Sequence, residues 1–370
     1  MAADTSFVDF VLRTDEHLNE DQGGGQPALR VARRRFRDRL NPMELFSDRE
    51  FLARYRFSKA TVASLLEMLP LEASASNRGL PVPPMLQLLI ALRFYGAGTF
   101  QVVTSDLVNV SQPTVCRVVR RVSRLIASTL FRRIVKFPDS AADFDDVTLE
   151  FYQMKKFPGV TGCIDCTHVR IKGPGGPNGP NGEVYRNRKG YFSINVITGP
   201  QLQFFDLLAS WPGSVHDSRI FDNSRARVLY EQHRVPGLLL GDAGYGCMPF
   251  LMTPLSSPVA EKTPEARYQA AHIRTRNSVE RAFGVWKRRF PCLDMRLQHK
   301  PERSTIIITA CAALHNLACQ RNDPCPPARP IPPIPLPRHR RRRHVLPVIL
   351  PKDSANGPPI RTELIARAFS

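Results

Sequence analysis

A change of hydrophobic period near residue 159 constrains this chain more than any other feature. Before it, FLARYRF, TVASLLEML and PMLQLLIALRFYG place apolar residues three and four apart, the period of helices that bury one face. After it, VTGCIDCTHVRI, YFSINVITG, QLQFFDLLASW and VPGLLLGDAGY read as strands separated by Gly, Pro and Asn turns. Helical patterns return at SRIFDNSRARVLYEQ and RTRNSVERAFGVWKRRF. Three strands in succession, then helix, strand and helix, predict a mixed α/β layout.

The 370 residues are long enough for two bodies and a substantial core. The expected organisation is a flexible basic segment over 1–40, a helical region over 41–136, a connector over 137–158, an α/β domain over 159–320 and a Pro/Arg-rich, mostly disordered tail over 321–370. Lys and Arg number 52 against 33 Asp and Glu, a net charge of +19 that favours a polyanionic partner such as nucleic acid. VARRRFRDRL and HRRRRH concentrate that charge, and the second reads as a nuclear-import signal or a phosphate-binding tail. Eight cysteines without an N-terminal apolar stretch point to a reducing compartment, and no segment is apolar for long enough to cross a bilayer.

In GTFQVVTSDLVNVSQPTVCRVVRRVSRLI, a short helix, a turn at Val108 to Val110 and a longer helix capped by Ser111 follow at helix-turn-helix spacing. Val115, Val118, Val119 and Val122 share one face of that second helix. Arg117, Arg120, Arg121 and Arg124 repeat the spacing two residues later, about 200° around the axis. An arginine stripe opposite an apolar face suits phosphates and guanine edges, although Arg-rich solvent faces are common.

GCIDCTHVRI poses a chemical question, because Asp165 interrupts an apolar strand between Cys163 and Cys166. A thiolate metal site needs further closely spaced Cys or His ligands, which are absent, and alternation along a strand sends Cys163 and Asp165 to one face and Cys166 to the other. The carboxylate has company in Asp217 of WPGSVHDSRIF, Asp242 of LLLGDAGY and Glu280 of NSVERAFGVWKRRF. Each alone reads as an N-cap, a turn former or half of an ion pair. Together they fit one topology: a fourth strand beside a central first strand brings Asp165 and Asp242 to one sheet edge, where helices can supply the other two. Oxygen-only clusters of this kind select Mg²⁺ or Mn²⁺.

The ordered set IDCTH, NRKGYFSINV, WPGSVHDSRIF, LLGDAGYG and NSVERAFGVWKRRF resembles the PIF/Harbinger transposases, and most closely their domesticated, harbinger transposase-derived nucleases. The resemblance runs from about Phe51 to Cys319 and includes FYGAGTFQ, FPGVTG and the ALHN helix. It implies an RNase H-like mixed sheet flanked by helices, preceded by the helix-turn-helix-like region. It also implies a DDE-type site of Asp165, Asp217, Asp242 and Glu280 that uses Mg²⁺ or Mn²⁺ to hydrolyse phosphodiester bonds in DNA. Whether the second aspartate of that triad is Asp217 or Asp242 stays open. Cys166 is a departure from the D-G-T-H of many transposases, shared with the domesticated group.

The resemblance further implies a Myb/SANT-like partner that assists DNA binding and nuclear entry, and a nuclear as well as cytoplasmic location; self-association is left open. Near the acids, Arg188, Lys189, Arg281, Lys287, Arg288 and Arg289 are candidates for holding DNA phosphates. His168 and His216 read as supporting or core residues rather than ligands, and His315, four residues after Cys311, as a buried histidine. A catalytically silent DNA-binding or scaffold protein is the alternative.

Overall fold

The computed structural model describes residues 41–72, 81–98, 110–171, 192–209, 216–324 and 357–370, with backbone alone at 192–196. VARRRFRDRL, Arg188, Lys189, HRRRRH and the first helix of the expected helix-turn-helix therefore lie outside the described residues.

The helical region begins with a short turn of helix, α1 (Pro42–Leu45), followed by α2 (Asp48–Tyr55), α3 (Lys59–Glu67), α4 (Pro84–Ala97) and α5 (Gln112–Thr129). Their starts are set locally: Ser47 and Glu50 form a reciprocal capping box on α2, and Ser58 caps α3 through the Thr61 N–H. On α5 all four valines are buried and Arg117 and Arg121 are exposed, as the spacing predicts, whereas Arg120 and Arg124 are half-buried. The short α6 (Phe131–Ile134) and the longer α7 (Ala141–Lys155), capped by Ser140, lead into the sheet.

The five strands are β1 (Val160–Val169), β2 (Phe192–Thr198), β3 (Phe204–Leu208), β4 (Leu238–Leu240) and β5 (Leu251–Met252), in the order β3-β2-β1-β4-β5. β1 pairs antiparallel with β2 and parallel with β4, so the sheet is mixed and the Asp-bearing strand is central, as expected. Between β3 and β4 the predicted single helix is two, α8 (Asp217–Asp222) and α9 (Arg225–Glu231), because Ser224 starts a new cap on the Arg227 N–H. β5 is too short to leave a period in the sequence. α10 (Pro264–Arg289) starts well before the predicted segment, with Thr263 as its cap and Pro264 in its first turn.

α11 (Pro301–Gln320) is apolar on nearly every side because it is buried among α5, α6, β3 and α10. Trp286 of α10 is fully buried, donates to the Cys311 carbonyl at 3.1 Å and meets Phe204 edge-on at 5.1 Å. His315 is the buried, bonded histidine that its surroundings predict: Nε2 lies 2.8 Å from the Leu202 carbonyl, and burial lowers its pKa to about 4. Within the tail expected to be mostly disordered over 321–370, residues 357–368 instead form α12 (Gly357–Ala368), which packs on α10 and β5. Among the described residues no helix is long and apolar enough to cross a membrane.

Asn316 of the ALHN motif closes this core. Its side-chain oxygen accepts from the Phe204 N–H at 2.7 Å, and its amide donates to the carbonyls of Phe204 at 2.7 Å and Ile134 at 3.0 Å. Asn316→Leu leaves three buried backbone groups without that partner, so it is expected to cost roughly 3 kcal/mol or more. Urea unfolding measures this, and an unchanged midpoint would show that water or rearrangement replaces the amide.

Candidate active site

The middle of β1 and the end of β4 create the site. The parallel register of β1 and β4 sets Cys163 opposite Leu240, and the carboxylates Asp165 and Asp242 each follow two residues later. Asp242 begins a tight turn in which its Oδ1 accepts the Gly244 N–H at 2.8 Å. A Cβ at Gly244 would stand 2.9 Å from that oxygen, so the GDAGYG sequence leaves room for the acid to fold back on its own loop.

Asp165 is half-buried and uses its two oxygens differently. Oδ1 accepts the Cys166 N–H at 2.8 Å, and Oδ2 accepts from Arg276 Nη1 at 2.9 Å. Burial pushes the carboxyl up to about 6, Arg276 and the Cys166 N–H oppose that shift, and neighbouring Asp242 adds to it. Glu280 reaches the pair through the same arginine: Arg276 Nη2 donates to Glu280 Oε1 at 2.8 Å, one helical turn along α10. Asp165 and Glu280 therefore share one guanidinium, which Asp242 also attracts.

Asp217 stands on the other side of β1, in the first turn of α8, where the Cys166 thiol donates to it. Cys163 points to α10, its sulfur 3.7 Å from the Thr275 carbonyl, so the two cysteines lie on opposite faces as strand alternation requires. Burial raises the Cys163 thiol to about 12, which suits a packing role. Tyr245, buried in the turn after Asp242, adjoins Cys166 and all three aspartates, and burial holds its phenol well above the usual range. It donates to the Cys166 sulfur and so ties the β4 turn to β1.

The basic candidates separate. Arg281 and Arg288 are exposed on α10. Lys287 donates to the His168 carbonyl at 2.8 Å, and burial lowers its pKa. Arg289 is buried and is a structural clasp, donating to the carbonyls of Arg56 at 2.7 Å and Asp323 at 3.0 Å. It leaves the phosphate-binding set for that reason. His216 is exposed and occupies the cap position of α8. Arg276 and Tyr245 were not foreseen, although Arg276 lies four residues before Glu280 with opposite charge and helix spacing alone can pair them.

Among the described residues, no three Cys, His, Asp or Glu side chains stand close enough to share an ion as they are. The donor set nevertheless suits a hard divalent cation. Every acid offers carboxylate oxygen, and three carboxylates around one guanidinium leave a formal charge of minus two.

Comparison with known proteins gives the family. Residues 164–316 match the family model described as DDE superfamily endonuclease. The human protein named "Putative nuclease HARBI1" (Homo sapiens) is 33% identical over 282 residues, 74% of this chain and 78% of that protein. The mouse protein of that name (Mus musculus) is 32% identical over 332 residues, 88% of this chain and 91% of its own length. A "Protein ALP1-like" of Arabidopsis thaliana is 24% identical over 272 residues, 69% of this chain and 65% of that protein. No solved structure matches. At this identity and coverage, the chain belongs to the PIF/Harbinger, transposase-derived branch of the DDE endonuclease superfamily.

Proposed function

We propose that this chain is a DNA endonuclease dependent on Mg²⁺ or Mn²⁺, with an RNase H-like core, and that Asp165, Asp242 and Glu280 hold the cation with Asp217 at its border. The observation that carries the reading is the pairing of β1 with β4, which sets Asp165 beside the turn that carries Asp242, together with the ion pairs that join Asp165 to Glu280 through Arg276. The sheet order β3-β2-β1-β4-β5 supports the RNase H-like assignment. A divalent cation there supplies activation of a water and charge stabilisation on the leaving oxygen of a phosphodiester. The protein's own share is orientation. The Cys166 N–H fixes one oxygen of Asp165, the Gly244 N–H fixes one of Asp242, and Tyr245 braces the turn after β4 against β1. The test is nicking of supercoiled DNA in Mn²⁺ by the wild type and by Asp165→Asn. Equal nicking by both assigns the activity to a contaminant, and none by either favours the silent DNA-binding alternative.

DNA is held, in this reading, by the outer face of α5, with Arg281 on α10 and with Arg188 and Lys189 contributing. Exposed Arg117 and Arg121, with half-buried Arg120 and Arg124 beside them, lie on α5, which this reading takes as the second helix of a helix-turn-helix. Arg117→Ala with Arg121→Ala is expected to weaken DNA binding about tenfold and to lower the salt slope by nearly two, at unchanged thermal stability. Unaltered affinity and slope would make this an ordinary solvated face. Nuclear location, through HRRRRH and a Myb/SANT-like partner, belongs to the same proposal and is supported by the net charge of +19.

A further inference from the structure

Arg276 has no obvious place among metal ligands, yet it sits between them. Its fork is split: Nη1 binds Asp165 Oδ2 at 2.9 Å and Nη2 binds Glu280 Oε1 at 2.8 Å, joining a strand to a helix across 111 residues of sequence. Both Asp165 oxygens are engaged, Oδ1 by the Cys166 N–H and Oδ2 by the charged Arg276. A cation bound by Asp165 meets the Arg276 guanidinium on the same carboxylate, and the two positive charges compete for it. Electrostatics point the same way, because Asp242 also attracts the guanidinium. The other titratable group one turn away on α10, His272, is buried against the Met252 carbonyl and held neutral, so it offers no replacement charge.

Resting on the nuclease reading, we infer that Arg276 is a built-in counter-ion that keeps the carboxylates together before cation binding, is displaced from Asp165 by the cation and then pairs with a DNA phosphate. Without a cation, three carboxylates repel one another and Arg276 relieves that repulsion. Once Arg276 leaves Asp165, a partly buried guanidinium, its side chain 17% exposed, faces a neighbourhood in which cation and arginine repel. A phosphate oxygen is the anion that DNA brings to it, and the guanidinium fork matches phosphate geometry. Cation and DNA therefore strengthen each other's binding by linkage through one side chain, and the cation-free protein resists loading in the absence of DNA. Arg276 acts here as a positioning residue for the ligands and as a phosphate-binding residue for the substrate.

The experiment titrates the full chain with Mn²⁺, following free Mn²⁺ by electron paramagnetic resonance, with and without a short DNA duplex bearing a non-cleavable backbone. Arg276→Gln is expected to bind Mn²⁺ about tenfold more tightly than wild type without DNA, roughly 1.4 kcal/mol. Added duplex is expected to tighten Mn²⁺ binding by the wild type several-fold and by the variant hardly at all. Arg276→Gln binding Mn²⁺ no better than wild type overturns the inference, while loss of Mn²⁺ binding in Asp165→Asn keeps the nuclease reading alive beside it. Mn²⁺ binding that ignores Asp165→Asn overturns both. Should Arg276→Gln not fold, the wild type itself decides. The ¹⁵N side-chain signal of Arg276, assigned by its absence from Arg276→Lys, is expected to move on Mg²⁺ addition, and a stationary signal overturns the inference.

Discussion

Asp165→Asn is expected to lower Mn²⁺-dependent nicking by more than about a hundredfold and to stabilise the cation-free protein at neutral pH. Both effects arise from the same burial. The half-buried carboxylate is deprived of water, and its pKa of about 6 shows that desolvation outweighs the attraction of Arg276 and the Cys166 N–H. A folded-state pKa above the unfolded value means that the native protein binds this proton more tightly. Stability from the group is therefore complete below about pH 4 and is lost as pH rises through about 6, amounting to roughly 3 kcal/mol for two units. Asparagine keeps the shape and carries no charge to desolvate. The variant's advantage in thermal unfolding should thus appear between pH 4 and 6, persist above it and vanish at lower pH. A variant less stable than wild type at neutral pH would mean that the ion pair with Arg276 holds the fold and that the burial argument is wrong. Under the proposed nuclease function, adding Mn²⁺ should reverse the order, since only the wild type would gain from cation binding.

Removal of residues 357–370 is expected to cost about 3–5 kcal/mol, comparable to truncating a large core aromatic, and to reduce nicking as well. Helix α12 is fastened at three levels. Gly357 lies so close to the β4–β5 connection that a Cβ there would stand 2.3 Å from the Cys247 carbonyl oxygen. Arg361 donates to the Thr253 hydroxyl at 3.1 Å and to its carbonyl at 3.3 Å, just after β5. Phe369 is buried against Phe157 at 5.3 Å and Tyr268 at 5.6 Å, with Arg267 bonded to its carbonyl. Deletion exposes Phe157 and Tyr268, both otherwise without solvent contact, and removes the backing of the turn that carries Asp242 and Tyr245. Calorimetry and nicking assays on the truncated chain measure the two consequences. An unchanged melting temperature would show that α12 does not dock in solution.

The local pattern of this sequence determined its strands, its helix starts and the identity of the acids. Alternation over two residues set Cys163 and Asp165 on one face of β1, period three to four set the buried valines of α5, and Ser, Thr and Pro fixed where α2, α5, α7 and α10 begin. Those signals act between residues a few positions apart and are legible without a fold. The order of motifs carried the family as well.

Tertiary structure alone decided the contacts that join distant segments. β5 has two residues and exists because β4 offers it an edge, and α12 follows a Pro/Arg-rich stretch that no periodicity spans. Arg289 looks like another member of a basic helix end until burial against Arg56 and Asp323 removes it from solvent. Asp165 and Arg276 meet because β1 is central and α10 crosses its face, a consequence of packing that spacing in the sequence does not encode. The acids, and the pairing that sets Asp242 beside Asp165, were therefore readable in the sequence, whereas the guanidinium that joins Asp165 to Glu280 came from packing.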